Sequence, residues 1–158
     1  MPPVRSAPST ESCIQRPPPS HRTQGMTPLP EDEIYARIGD EGFARLAAAF
    51  YRRIPDDSIL GPMYPNQDLV GAERRLRQFL IFRFGGPQAY LEERGHPRLR
   101  MRHAPFVVDQ AARDRWVELM DLALAEADLP PEAVATLQPF FHHVATFLMN
   151  RGSTQPEQ

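Results

Sequence analysis

The sequence contains no lysine; all 18 of its basic residues are arginine. Mechanisms that begin with a lysine amine forming a Schiff base are therefore excluded. The single cysteine, Cys13, rules out an intramolecular disulfide framework and a cysteine-based zinc cluster. No apolar run approaches the roughly 18 residues needed to span a bilayer. The N-terminus lacks the apolar region of a secretory signal. Charge is nearly balanced, with 18 basic against 20 acidic residues. The concentrated positive charge that binds nucleic acid or an anionic membrane surface is missing. These absences predict a soluble, cytoplasmic, single-domain protein without a nucleic-acid or membrane partner.

Common chemical signatures are absent as well. There is no GxGxxG, P-loop, GxSxG or HExxH, which removes the usual dinucleotide, phosphate, hydrolase and zinc-protease readings. Aromatic residues are missing from the first 30 positions, where Pro, Ser and Thr fill 15 places and Pro17, Pro18 and Pro19 run together. Such a segment buries too little apolar surface to offset its ordering entropy. Residues 1–31 are therefore expected to be a disordered tail, with Cys13 an incidental thiol and Met26 an alternative start of translation. The folded domain is expected over 32–151, followed by a frayed end over 152–158.

What the domain does contain is helical periodicity. Phe43, Leu46, Ala47, Phe50, Tyr51 and Ile54 recur at one-face spacing, and Pro55 ends that run. Asp56 or Asp57 is placed to cap a short turn ending at Gly61-Pro62. A helix is predicted from about Leu69, with Leu69, Leu76, Phe79 and Leu80 on one face and Gly85-Gly86-Pro87 as its stop. Between Tyr90 and Phe106, Gly95, Pro97 and Pro105 leave room only for a short helical piece around Arg98 to His103. Asp109 opens a longer helix with the stripe Trp116, Leu119, Met120, Ala123 and Leu124. A last helix is predicted from Asp128, with Leu137, Phe140, Phe141, Val144, Phe147 and Leu148 buried. The pattern predicts an all-α domain.

The histidines carry the candidate chemistry. His21 falls in the tail, and His96 precedes a proline. Adjacent helical residues diverge by ~100°, so His142 and His143 do not readily share one metal. Glu93 and His96 have the spacing of a di-iron motif, but Gly95 and Pro97 oppose a helix there and no second copy exists. His103 differs because it ends an arginine-rich run that a proline fixes, His96-Pro97-Arg98-Leu99-Arg100-Met101-Arg102-His103-Ala104-Pro105-Phe106. That setting suits either a solvated basic turn or an axial metal ligand whose arginines pair with an anionic cofactor.

The segment Gly95 to Phe106 resembles that of the truncated haemoglobins of group II. Phe50-Tyr51, Met63-Tyr64-Pro65, Asp68 to Glu73, Arg75-Leu76-Arg77, Gly85-Gly86-Pro87 and Arg113-Asp114-Arg115-Trp116 extend the resemblance from Ile34 to near the end of the last helix. It implies a two-over-two globin fold enclosing haem b, with His103 as proximal ligand to the iron. It implies Tyr51, Tyr64 and Trp116 as distal polar aromatics, with Ala72 and Leu76 against the haem and Arg102, or else Arg98 or Arg100, paired with a propionate. No CxxCH occurs, so the haem is expected to be held non-covalently. The chain departs from the family at Gly39-Asp40-Glu41-Gly42 and at Ile81-Phe82-Arg83-Phe84.

The resemblance implies reversible binding of dioxygen, carbon monoxide and nitric oxide. Two phenols and an indole can donate hydrogen bonds to such a ligand. Two charge-assisted bonds of about 1.5–3 kcal/mol each would slow oxygen release by roughly 10²–10⁴. Alternatives are a nitric oxide dioxygenase or peroxidase served by a reductase at the same site, or a haem-free helical interaction module.

Overall fold

The computed structural model describes residues 27–64 and 68–151, and these form helices joined by turns, with no strand among them. Six α-helices run in order: α1 Ile34–Tyr51, α2 Leu69–Arg83, α3 Ala89–Arg94, α4 Leu99–His103, α5 Gln110–Glu126 and α6 Pro131–Phe147. Helix α1 packs on both α2 and α5, and α5 packs on α6, giving a two-over-two helical sandwich.

The stripe expected along α1 is the centre of the core. Phe43, Leu46, Ala47 and Phe50 are fully buried, as is Ile54 in the turn beyond the helix. Each large apolar side chain in that row contributes about 1.5–3 kcal/mol by leaving water. The helix ends at Tyr51, before Pro55, in a turn where the Ile54 amide donates to the Tyr51 carbonyl at 3.2 Å. Gly39 breaks α1 near its start with φ 63° and ψ −173°. This left-handed φ is costly for any residue with a Cβ. Gly39 therefore sets the angle at which the main part of α1 begins.

Helix α2 starts as expected, with the Asp68 side chain accepting from the Gly71 amide at 3.0 Å. Its stop is equally local. Gly85 has φ 94°, and the Gly86 amide bonds back to the Ile81 carbonyl at 2.8 Å. A Cβ on Gly85 would lie 2.4 Å from the Asp32 carbonyl oxygen, so only glycine fits. Asp109 caps α5 by accepting from the Ala112 amide at 2.9 Å.

Several expectations need adjustment. Helix α3 forms where only irregular chain was predicted, because Tyr90 turns inward and packs against Phe79 and Phe82. Helix α6 begins at Pro131, not Asp128; Asp128 holds φ 53°, outside helical geometry. Phe147 is 46% exposed, with the Arg100 guanidinium 4.5 Å from its ring centroid. Trp116, Phe140, Val144 and Leu148 are partly exposed because they face a cavity.

Residues 1–26, with Cys13, His21 and Met26, and residues 152–158 lie outside the described chain. Ordered packing nevertheless begins before residue 32. The Leu29 amide donates to the Glu132 carbonyl at 3.1 Å, and the Thr136 hydroxyl donates to the Leu29 carbonyl. No described helix is long and apolar enough to cross a membrane.

Candidate functional site

A cavity of about 480 Å³ opens between the α1–α2 and α5–α6 pairs, and α4 closes one side. Tyr51, Tyr64, Ala72, Leu76, Arg102, His103 and Trp116 all line it. Arg98 does not. It occupies the left-handed position before α4, with φ 42° and ψ 52°, and its side chain is outside the lining.

The geometry of His103 follows from where it sits in α4. As the last residue of this short helix, it directs Nδ1–H to the Leu99 carbonyl one turn earlier, at 2.7 Å. A carbonyl only accepts, so this bond places the ring proton on Nδ1 and leaves the Nε2 lone pair free in the neutral imidazole. An imidazole oriented in this way is prepared to hold a metal, with its backbone partner fixing ring angle and tautomer.

An aromatic chain forms another part of the lining. Tyr51 at the end of α1 meets Tyr64 nearly edge-on, with centroids 5.7 Å apart and planes at 81°. Phe50 lies against both Tyr51, at 5.1 Å, and Trp116, at 5.3 Å, and Trp116 also rests on Phe141 at 5.8 Å. The two phenols and the indole are thereby held by apolar contacts at their ring bodies. Burial pushes the Tyr51 phenol well above its ordinary range, and the adjacent Tyr64 adds to the rise. Burial also raises Tyr64, against a smaller opposing effect of Tyr51. Both hydroxyls consequently keep their protons and remain donors.

Asp57 connects two parts of this wall. Its Oδ1 accepts from the amides of Ile59 and Leu60, at 3.0 and 2.8 Å, and Oδ2 pairs with the Arg115 guanidinium. The segment leading to Tyr64 is thus tied to the residue next to Trp116. Burial works to raise the Asp57 carboxyl, but the Leu60 amide and Arg115 outweigh it and hold the group below its ordinary value.

Arginines concentrate at the cavity's edge. Arg75, Arg94 and Arg113 line it together with Arg102. Arg102 already donates from Nε to the Pro97 carbonyl and from Nη2 to the Arg94 carbonyl, both at 2.8 Å. Arg113 donates from Nε to the Thr136-distant end of α6, at the Thr146 hydroxyl, at 3.1 Å. Arg75 was readable in principle, because Ala72, Arg75, Leu76 and Phe79 share one helical face. Arg94 and Tyr90 had no such signal, since both depend on α3.

A profile of bacterial-like globins matches residues 33–150. The chain is 39% identical over 98 residues to a group 2 truncated haemoglobin of Bacillus subtilis, an alignment spanning 62% of this chain and 74% of the relative. The chain belongs to the truncated haemoglobins of group II. This truncated haemoglobin is also 32% identical over 124 residues to the two-on-two haemoglobin-3 of Arabidopsis thaliana, across 77% of this chain and 71% of the relative. Among solved structures, the haemoglobin of Chloroflexus aurantiacus superposes with a TM-score of 0.72 at 44% identity, covering 75% of this chain and 98% of that one. The truncated oxygen-avid haemoglobin of Bacillus subtilis gives 0.70 at 35% identity, covering 74% and 98%. Family membership implies a haem cofactor.

Proposed function

We propose that this truncated haemoglobin holds haem b non-covalently through His103 and binds dioxygen with slow release, accepting carbon monoxide and nitric oxide at the same place. The observation that carries the reading is a single cavity lined both by a tautomer-fixed imidazole and by three aromatic donors. The residues fit the group. The cavity falls within the ~300–1,000 Å³ range of cofactor and ligand pockets, its walls are mainly apolar, and its cations lie at the edge. Haem supplies an iron able to take a small diatomic ligand.

The chain's own residues do the rest. His103 presents Nε2 to the iron while the Leu99 carbonyl holds its other nitrogen. Ala72 and Leu76 present apolar surface to the macrocycle. Arg102 keeps free N–H groups beside its two backbone bonds and, with Arg75 and Arg94, is a partner for the propionates; Arg98 is outside the lining. Tyr51, Tyr64 and Trp116 donate to the ligand. Slow release is supported by the relative described as oxygen-avid. Turnover as a nitric oxide dioxygenase or peroxidase with a reductase partner is the second reading. It is favoured by Ala72, which lines the cavity and, as a small side chain, would narrow the approach of a second reactant less than a bulky residue there.

The test is kinetic. Tyr51→Phe removes one buried donor and should speed oxygen dissociation about tenfold or more in stopped-flow, from ~1.5–3 kcal/mol for a charge-assisted bond. An unchanged rate would exclude Tyr51 as a principal donor.

A further inference from the structure

Helix α4 has only five residues, far below the ~12–15 at which an isolated helix begins to hold itself. Yet it carries the one imidazole in the cavity. Its rigidity has to come from elsewhere, and the C-terminal side shows the source. Asn150 follows α6 and sits 47 residues beyond His103, but its side chain bonds almost entirely to the backbone around that histidine. Nδ2 donates to the His103 carbonyl at 3.3 Å and to the Phe106 carbonyl at 2.8 Å. Oδ1 accepts from the Val108 amide at 3.0 Å, and the Asn150 amide returns a bond to the Val108 carbonyl at 3.0 Å.

The geometry points to Asn150 as a positioning residue for His103. Its carboxamide supplies what the end of a one-and-a-half-turn helix lacks, external donors for C-terminal carbonyls. The same carboxamide satisfies an amide of the next segment, which only a group with both donor and acceptor can do. Arg100 strengthens the junction by donating from Nε to the Phe147 carbonyl at 3.1 Å. The end of α6 thereby sets the height and tilt of the imidazole without touching it. This inference rests on the reading of His103 as haem ligand.

The test compares haem-loaded, full-length wild type with Asn150→Ala and Asn150→Asp. The readouts are the iron–histidine stretching band of the ferrous, ligand-free protein by resonance Raman, and the rate of haem loss to excess acceptor globin. Asn150→Ala should shift or broaden the band and speed haem loss about five- to tenfold, the scale of one net hydrogen bond. Asn150→Asp keeps the acceptor for Val108 but loses both donors, and should move both readouts in the same direction; it decides the matter if the alanine variant does not fold. Thr136→Val, which removes the bond to the Leu29 carbonyl at a distant part of α6, should lower Tm and leave the band in place. A wild-type band and haem-loss rate in the Asn150 variants, or the same changes in Thr136→Val, would overturn the proposal. A wild type with no iron–histidine band would instead overturn the haem reading itself.

Discussion

Asp57 is 6% exposed, the one buried charged residue among those described, and it acts on the site without lining it. Its carboxylate receives two amides and a guanidinium, so removing its charge loosens the approach to Tyr64 and the anchor beside Trp116 together. Because its folded pKa is lowered, the stability it contributes is full above the ordinary carboxylate value of 3.8 and is lost as pH falls through the lower folded value. Asp57→Asn should therefore cost about 1.5–3 kcal/mol at neutral pH, the range for hydrogen bonds to charged groups. It should also flatten the loss of stability below about pH 4. Urea unfolding at pH 7 and pH 3 checks both. A variant as acid-sensitive as the wild type would remove Asp57 from the account.

At the level of elements, the site depends on where helices begin and end. Gly39 turns the chain with a positive φ inside α1, and nothing lies within 4 Å of where its Cβ would be. Gly39→Ala is therefore a test of backbone strain alone, and should lower stability by roughly 1–2 kcal/mol, read as a fall in Tm. No change would mean that the kink is unstrained. The elements most legible in the sequence are those with local signals: the α1 stripe, the α5 start at Asp109 and the Gly85 stop. Helix α3 was not legible, because six residues are too few for periodicity and its reason for existing is Tyr90 docking on α2 side chains distant in sequence. His103, Tyr51, Tyr64 and Trp116 stood out through the family resemblance. The Leu99 bond that prepares His103, the arginines at the edge and the Asn150 junction are tertiary outcomes with no sequence period. Arg98 shows the converse: its charge was visible, but its left-handed backbone position was not.

Across the molecule, a cavity opens between two helical pairs, and the segments that line it bring different chemistries to its walls. Helix α4 brings a nitrogen lone pair, while α1, the turn after it and α5 bring neutral donors. The central claim is that this pairing holds haem with His103 on the iron. Absorption spectra of purified wild type and His103→Ala, each ferric, reduced and exposed to carbon monoxide, test it directly. The wild type should show a strong haem band that shifts on reduction and again with carbon monoxide, and the variant a weakened, displaced band with poor haem retention. A folded wild type that stays colourless when haem is added, or a variant with an identical spectrum, would contradict it.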